Sequence, residues 1–185
     1  MERDHEAQAG PTARVCYGVI REKCWRTWDS WPAEIFYATV SSDADTFVGR
    51  LVVAPPKEWL KHRKVTANLT AEQERLLSTA LDPAGAAMQL NRAFGDIPVI
   101  SSDGKSNVWA LFKWAGVRRS WSLADPVAPF RQFDVRVGEH AVLRMMDLVP
   151  LALQGEDRVR AHARAYLDLC RARAVLGQTL APPDA

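Results

Sequence analysis

Cysteine is scarce in this chain. Cys16, Cys24 and Cys170 are the only three in 185 residues, an odd and widely spaced set that does not read as a disulfide framework, so reduced and mostly buried thiols are expected. Long apolar runs are also missing. The opening residues, Met1 to Thr12, are polar throughout and carry no signal-peptide core. No stretch approaches the ~20 apolar residues a bilayer span requires. A cytoplasmic protein without membrane attachment is expected. An excess of one charge is missing as well: 24 Lys and Arg face 22 Asp and Glu, a net +2. Such totals neither demand nor exclude a polyanionic partner, so only local clustering can decide.

The signatures of catalysis and metal binding are absent too. His5, His62, His140 and His162 stand apart from one another, and no Cys-x-x-Cys or His-x-x-x-His spacing occurs, so neither metal nor cofactor is expected. No Gly-x-Ser-x-Gly elbow or reactive-cysteine signature is present. Gly104-Lys105-Ser106 matches the end of a phosphate-binding loop. However, Val99 stands where the upstream glycine belongs, and the segment reads as leading into a strand rather than a helix. Glu139-His140, flanked by Arg136 and Arg144, is the one acid–base candidate for an enzyme acting on an anionic substrate. It reads more simply as a solvated turn, and the chain is read as a non-enzyme.

What is present is an ordinary globular composition, 48% hydrophobic and 25% charged, which argues against disorder. The length suits one domain with short extensions: a polar tail over 1–12, a domain over 13–178 and a tail over 179–185. Strands are expected at 14–20, 34–40 and 46–54, where β-branched and aromatic residues alternate. Cys24 to Pro32 carries Trp25, Trp28 and Trp31 at a spacing of three, which suits a tight turn or short helix. Basic residues dominate the short segment 57–64. A helix is expected at 70–81, capped by Thr70 with Gln73 completing the box and burying Leu76, Leu77, Ala80 and Leu81. A second is expected at 84–94, with Pro83 at its first position and Gly95 just past its end.

Asp103-Gly104 is strong hairpin chemistry. It predicts a strand over 108–114, with Val108, Ala110, Phe112 and Trp114 on one face and Trp109 and Leu111 on the other. A further hairpin is expected at 130–148, then a long helix at about 156–176. Glu156 and Asp157 sit at its positive end, and Val159, Ala163, Tyr166 and Cys170 form its apolar seam. Strands, helices, strands and helix in that order point to an α+β fold: a twisted antiparallel sheet of hairpins with a central helical pair and a long C-terminal helix.

Function is sought in the region from Lys105 to Trp121. Between Lys105 and Arg144 basic residues outnumber acidic ones by four, more than in the whole chain. Trp109, Trp114 and Trp121 are interleaved with Lys105, Lys113, Arg118 and Arg119. Indoles stack on bases while cations follow phosphates, so these seven residues are the candidate nucleic-acid-binding set, for single strands in particular. Two helices followed by a hairpin also resemble, in arrangement only, part of a winged helix-turn-helix, which needs one more helix. A protein–protein module (an inhibitor, adaptor or assembly subunit) is the main alternative, since Trp and Arg also dominate interface hot spots. The C-terminal helix offers a face for a homodimer.

Overall fold

The computed structural model describes residues 16–24, 31–41, 44–56, 71–101, 107–125, 149 and 152–179. In chain order these form β1 (Cys16–Cys24), β2 (Pro32–Ser41), β3 (Ala44–Val52), α1 (Ala71–Ser78), α2 (Pro83–Phe94), β4 (Pro98–Ser101), α3 (Val108–Ala115), β5 (Ser122–Leu123) and α4 (Gly155–Thr179).

The strands line up as β3-β2-β1-β4-β5 in one sheet. The first three make an antiparallel meander, with Tyr17 opposite Val40, Ile20 opposite Tyr37 and Ile35 opposite Leu51. β4 then joins β1 in parallel, Val19 opposite Ile100, and β5 joins β4 in parallel. The α+β class, the helical pair and the long last helix are as the sequence indicates. The sheet is mixed, because a helical segment always intervenes before β4 and before β5, and parallel neighbours need such a crossover.

Alternation along the strands divides the core in two. On one face Tyr17, Val19, Phe36, Ala38, Val40 and Ile100 meet Val159, Ala163, Tyr166 and Leu167 of α4. On the other, Ile20, Ile35, Tyr37, Leu51 and Val99 meet the inner faces of α2 and α3. Three layers result, and β2 is buried almost throughout, as a strand covered on both sides must be. The Tyr17 hydroxyl donates to the Ala163 carbonyl at 3.0 Å, giving the buried phenol a partner inside the α4 layer.

The caps of α2 follow the sequence. Asp82 Oδ1 accepts from the Gly85 amide, Pro83 occupies the first turn and Gly95 closes the end. α1 is shorter than expected. It ends at Ser78, and the expected buried stripe is only half-buried at Leu76, Leu77 and Ala80, while Leu81 is 37% exposed. Its backbone bonds instead to the end of β3, with Leu81 N donating to Val52 O and Ala54 N donating to Leu81 O.

The main correction concerns residues 108–114, which form a helix and not the returning strand of a hairpin. With it goes the wing of the winged-helix resemblance. Val-Trp-Ala-Leu-Phe-Lys-Trp-Ala satisfies both periods. Helical spacing wins because Val108, Leu111 and Phe112, at i, i+3 and i+4, are then all buried together, whereas the strand reading splits them between two faces. Gly116, at φ 64°, ends the helix in the left-handed conformation, where a side chain costs energy and glycine does not.

Several expectations lie outside the described residues: the tip at 102–106 with Lys105, Trp25 and Trp28, the segment 57–64, Thr70, the hairpin at 130–148 with His140, and both tails apart from Thr179.

Candidate functional site

The outer face of α3 presents side chains that the core does not use. Eight residues at 3.6 per turn put Val108, Leu111 and Phe112 inward and leave Trp109, Lys113 and Trp114 outward. Both indoles are 56% exposed. Together with Ala110 they line, among the described residues, a cavity of about 310 Å³. Large apolar side chains left in water are the informative exceptions on a surface, and here two of them flank a lysine and a shared hollow.

The helix that carries them is held from behind by a chain of rings. Phe112 meets Trp121 edge-on at 5.7 Å, Trp121 meets Phe94 at 5.1 Å, and Phe94 meets Tyr37 of β2 at 5.7 Å. Each T-shaped pair adds about 0.5–1.5 kcal/mol to the area it buries. Side chains on a helix seated this way are placed more precisely than side chains on a loop.

Trp121 is therefore not part of the surface. It is 3% exposed, wedged between α2 and α3, and its ring faces are unavailable to a base. Arg119 is drawn in with it, its guanidinium 4.8 Å from the Trp121 ring centroid. Arg118 remains exposed on the segment after α3, and its carbonyl accepts from Asn91 Nδ2 at 2.9 Å. Of the seven sequence candidates, the structure brings Trp109, Lys113 and Trp114 together, sets Trp121 with Arg119 in and over the core, and leaves Arg118 beside them on the following segment. Lys105 lies outside the described residues.

Ala110 was not foreseen. It lines the same hollow as Trp109, Lys113 and Trp114, and only the helical period puts it on their side of α3. The signal was there in Gly116, which closes α3 as a C′ glycine does, while Asn107 precedes the helix without a side-chain capping bond.

A second polar feature lies on the α4 side of the sheet. Glu34, 4% exposed, accepts from Arg50 Nε at 3.0 Å and from its Nη2, and Arg50 also lies over the Phe36 ring, 5.8 Å from its centroid. This pair joins β2 to β3. Burial raises the Tyr37 phenol above its usual 10.0, while the Gln89 side chain bonded to it pulls the other way. Among the described residues no group of three or more His, Cys, Asp or Glu side chains is placed to hold a metal ion. Among them, too, no helix is long and apolar enough to cross a membrane.

Compared with known proteins, the chain matches no family model, and no curated protein matches it in sequence.

Proposed function

We propose that this protein is a non-enzymatic nucleic-acid-binding protein that seats its ligand on the outer face of α3. One observation carries the reading: Trp109 and Trp114, each more than half exposed, line a common cavity with Lys113. Every base offers a flat π-face to an indole, and a neighbouring ammonium group answers the phosphate that follows it. Arg118, exposed just beyond the helix, extends the positive charge. Folding alone would favour polar residues at 109 and 114, so their exposure is most simply explained by a partner that covers them.

Fluorescence anisotropy of labelled oligonucleotides tests this directly. Binding at low salt should weaken steeply as salt rises, through counterion release. A flat titration at low salt with every oligonucleotide sinks the reading.

A protein-docking surface is the second reading. It is favoured by Met88 on α2, 53% exposed, since Met and Trp are both enriched in interfaces. Such a complex would show little of the salt dependence above.

A further inference from the structure

We infer that the outer edge of β3 pairs with the same edge of a second copy of the chain, antiparallel and centred on Val48, so that two five-stranded sheets join into one. The pairing is independent of what α3 binds.

β3 ends the sheet. In an antiparallel ladder the N–H and C=O of each residue point to one side, and the side alternates along the strand. Val53, just past β3, donates from its amide to the Ala33 carbonyl of β2. Phe47, Gly49 and Leu51 therefore turn their main-chain groups towards β2, and Val48, Arg50 and Val52 turn theirs outwards. The Val52 carbonyl is satisfied, accepting from Leu81 N at 2.9 Å. Among the described residues nothing bonds the outward groups of Val48 and Arg50. Beside them stands Phe47, 58% exposed. Of the devices that blunt an open edge, β3 has a bulge near its start, and the one cation in its open run, Arg50, is turned onto Glu34.

The length of the opening selects the same strand as its partner. The open run starts at Ala44 and ends at Leu51, where Leu81 closes the edge. Between the pairs Thr39–Phe47 and Ser41–Ala44, β3 holds one residue more than β2. Counted in ladder positions, the midpoint of the run is then Val48. A two-fold axis through Val48, normal to the sheet, lays the whole of one open run along the other and stops short of Leu81. Val48 and its counterpart exchange both of their hydrogen bonds.

The side chains suit the same register. Such an axis keeps each face of the sheet on its own side, so Phe47 falls opposite Gly49 of the other copy. That glycine has no side chain to exclude the ring, and Tyr37, which overlies it, offers an aromatic wall; cross-strand pairs of this kind stabilise a sheet. Arg50 falls opposite the bulged step that carries Asp45, so a cation meets an acidic position rather than a second cation. In the joined sheet both copies of α3 lie on one face and both copies of α4 on the other.

Sedimentation equilibrium of the full chain tests the pairing. One strand pair makes a small interface of the kind found in transient complexes, so the mass should climb from 20.6 kDa towards twice that as concentration rises. Phe47→Lys changes an exposed side chain and should hold the mass at that of the monomer, with the circular dichroism of the wild type. Val48→Pro should do the same, since the N–H it removes points away from β2. If Val48→Pro does not fold, Phe47→Lys and crosslinking decide. Hydrogen-bonded partners on antiparallel strands have Cα atoms about 5.5 Å apart, within disulfide reach. Val48→Cys should therefore give a covalent dimer on mild oxidation, beyond any that Cys16, Cys24 and Cys170 form in the wild type. Phe47→Cys, two ladder positions from its own counterpart, should crosslink far less. A chain that stays monomeric at millimolar concentration would overturn the pairing, whether the edge remains open or takes a strand from another protein. So would a dimer that survives in folded Phe47→Lys, or a Val48→Cys variant that crosslinks no better than Phe47→Cys.

Discussion

Asn91 and Ser120 are joined twice: Asn91 Oδ1 accepts from the Ser120 amide and from its hydroxyl, each at 3.1 Å. The same side chain donates from Nδ2 to the Arg118 carbonyl. One residue of α2 thus fastens the segment that follows α3 and brings Trp121 between Phe94 and Phe112. Asn91→Ala removes all three bonds. Their groups are near solvent and regain water, so the cost should be about 1–2 kcal/mol rather than the sum of three buried bonds. Urea unfolding checks the magnitude, and near-ultraviolet circular dichroism should show the indole environment loosening. An unchanged midpoint would mean that the ring packing alone holds the segment.

Arg50 and Glu34 should be coupled. The Glu34 side chain is 5% exposed and that of Arg50 42%, so the carboxylate has lost most of its water while the guanidinium keeps part of its own. A double-mutant cycle with Arg50→Ala and Glu34→Gln should give a coupling of about 1–3 kcal/mol, typical of a bond to a charged group and reduced from the fully buried case by the exposure of the arginine. Additive effects would show that the pair contributes through packing on Phe36 alone.

Tyr37 should make stability fall in alkali. Its phenol is held above its ordinary value by burial, partly offset by Gln89. The unfolded chain releases that proton near pH 10, as a free tyrosine does, while the folded chain keeps it longer. Between those two points the folded state binds more protons, so stability is full below the unfolded value and drains away as pH rises through the folded one. Tyr37→Phe should remove this contribution. The difference between its urea midpoint and that of the wild type, followed from neutral pH into alkali, isolates it. Parallel curves would show that the phenol titrates as an exposed one does.

Gly49 lies beneath that same ring, close enough that an added Cβ would collide with Tyr37 Cζ and Oη. Gly49→Ala should therefore destabilise by about 1–3 kcal/mol, the usual cost of overpacking a filled core. Tyr37→Phe should relieve only part of it, because the ring carbons collide as well as the hydroxyl. A neutral Gly49→Ala would mean that the ring swings aside freely.

The elements legible in the sequence were those whose pattern admits one solution. Asp82, Pro83 and Gly95 bracket α2 with start and stop chemistry that no strand would use, and the seam of Val159, Ala163 and Tyr166 fits only the helical period. Residues 108–115 failed because they are apolar almost everywhere: with so few polar positions, periods of 2 and 3.6 leave the same trace. Asp103-Gly104 then tipped the choice through a turn preference, which is local and says nothing of what β4 pairs with. β5 was invisible because two exposed residues, Ser122 and Leu123, carry no pattern. For the candidate site, aromatic and basic composition pointed to the stretch that carries the two exposed indoles. It could not separate Trp121, sealed by Phe94 and Phe112, from Trp109 and Trp114, because burial of an indole depends on the helix face it occupies.

That separation yields the sharpest contrast. Trp109→Ala and Trp114→Ala remove exposed rings, so stability should move by no more than about 0.5 kcal/mol. Affinity for an oligothymidylate should fall by about 1–3 kcal/mol for each. Trp121→Ala should do the reverse. It opens a cavity among packed rings and should cost about 3–5 kcal/mol of folding stability, while any change in affinity should follow the loss of fold. Lys113→Gln should weaken binding to every sequence alike and flatten the plot of log affinity against log salt by roughly 0.7, one phosphate's worth on a single strand. Urea unfolding and salt-dependent anisotropy on the same four variants place each residue on one side or the other. If removing both outer indoles leaves the affinity of a folded protein untouched, the face of α3 is not where nucleic acid binds.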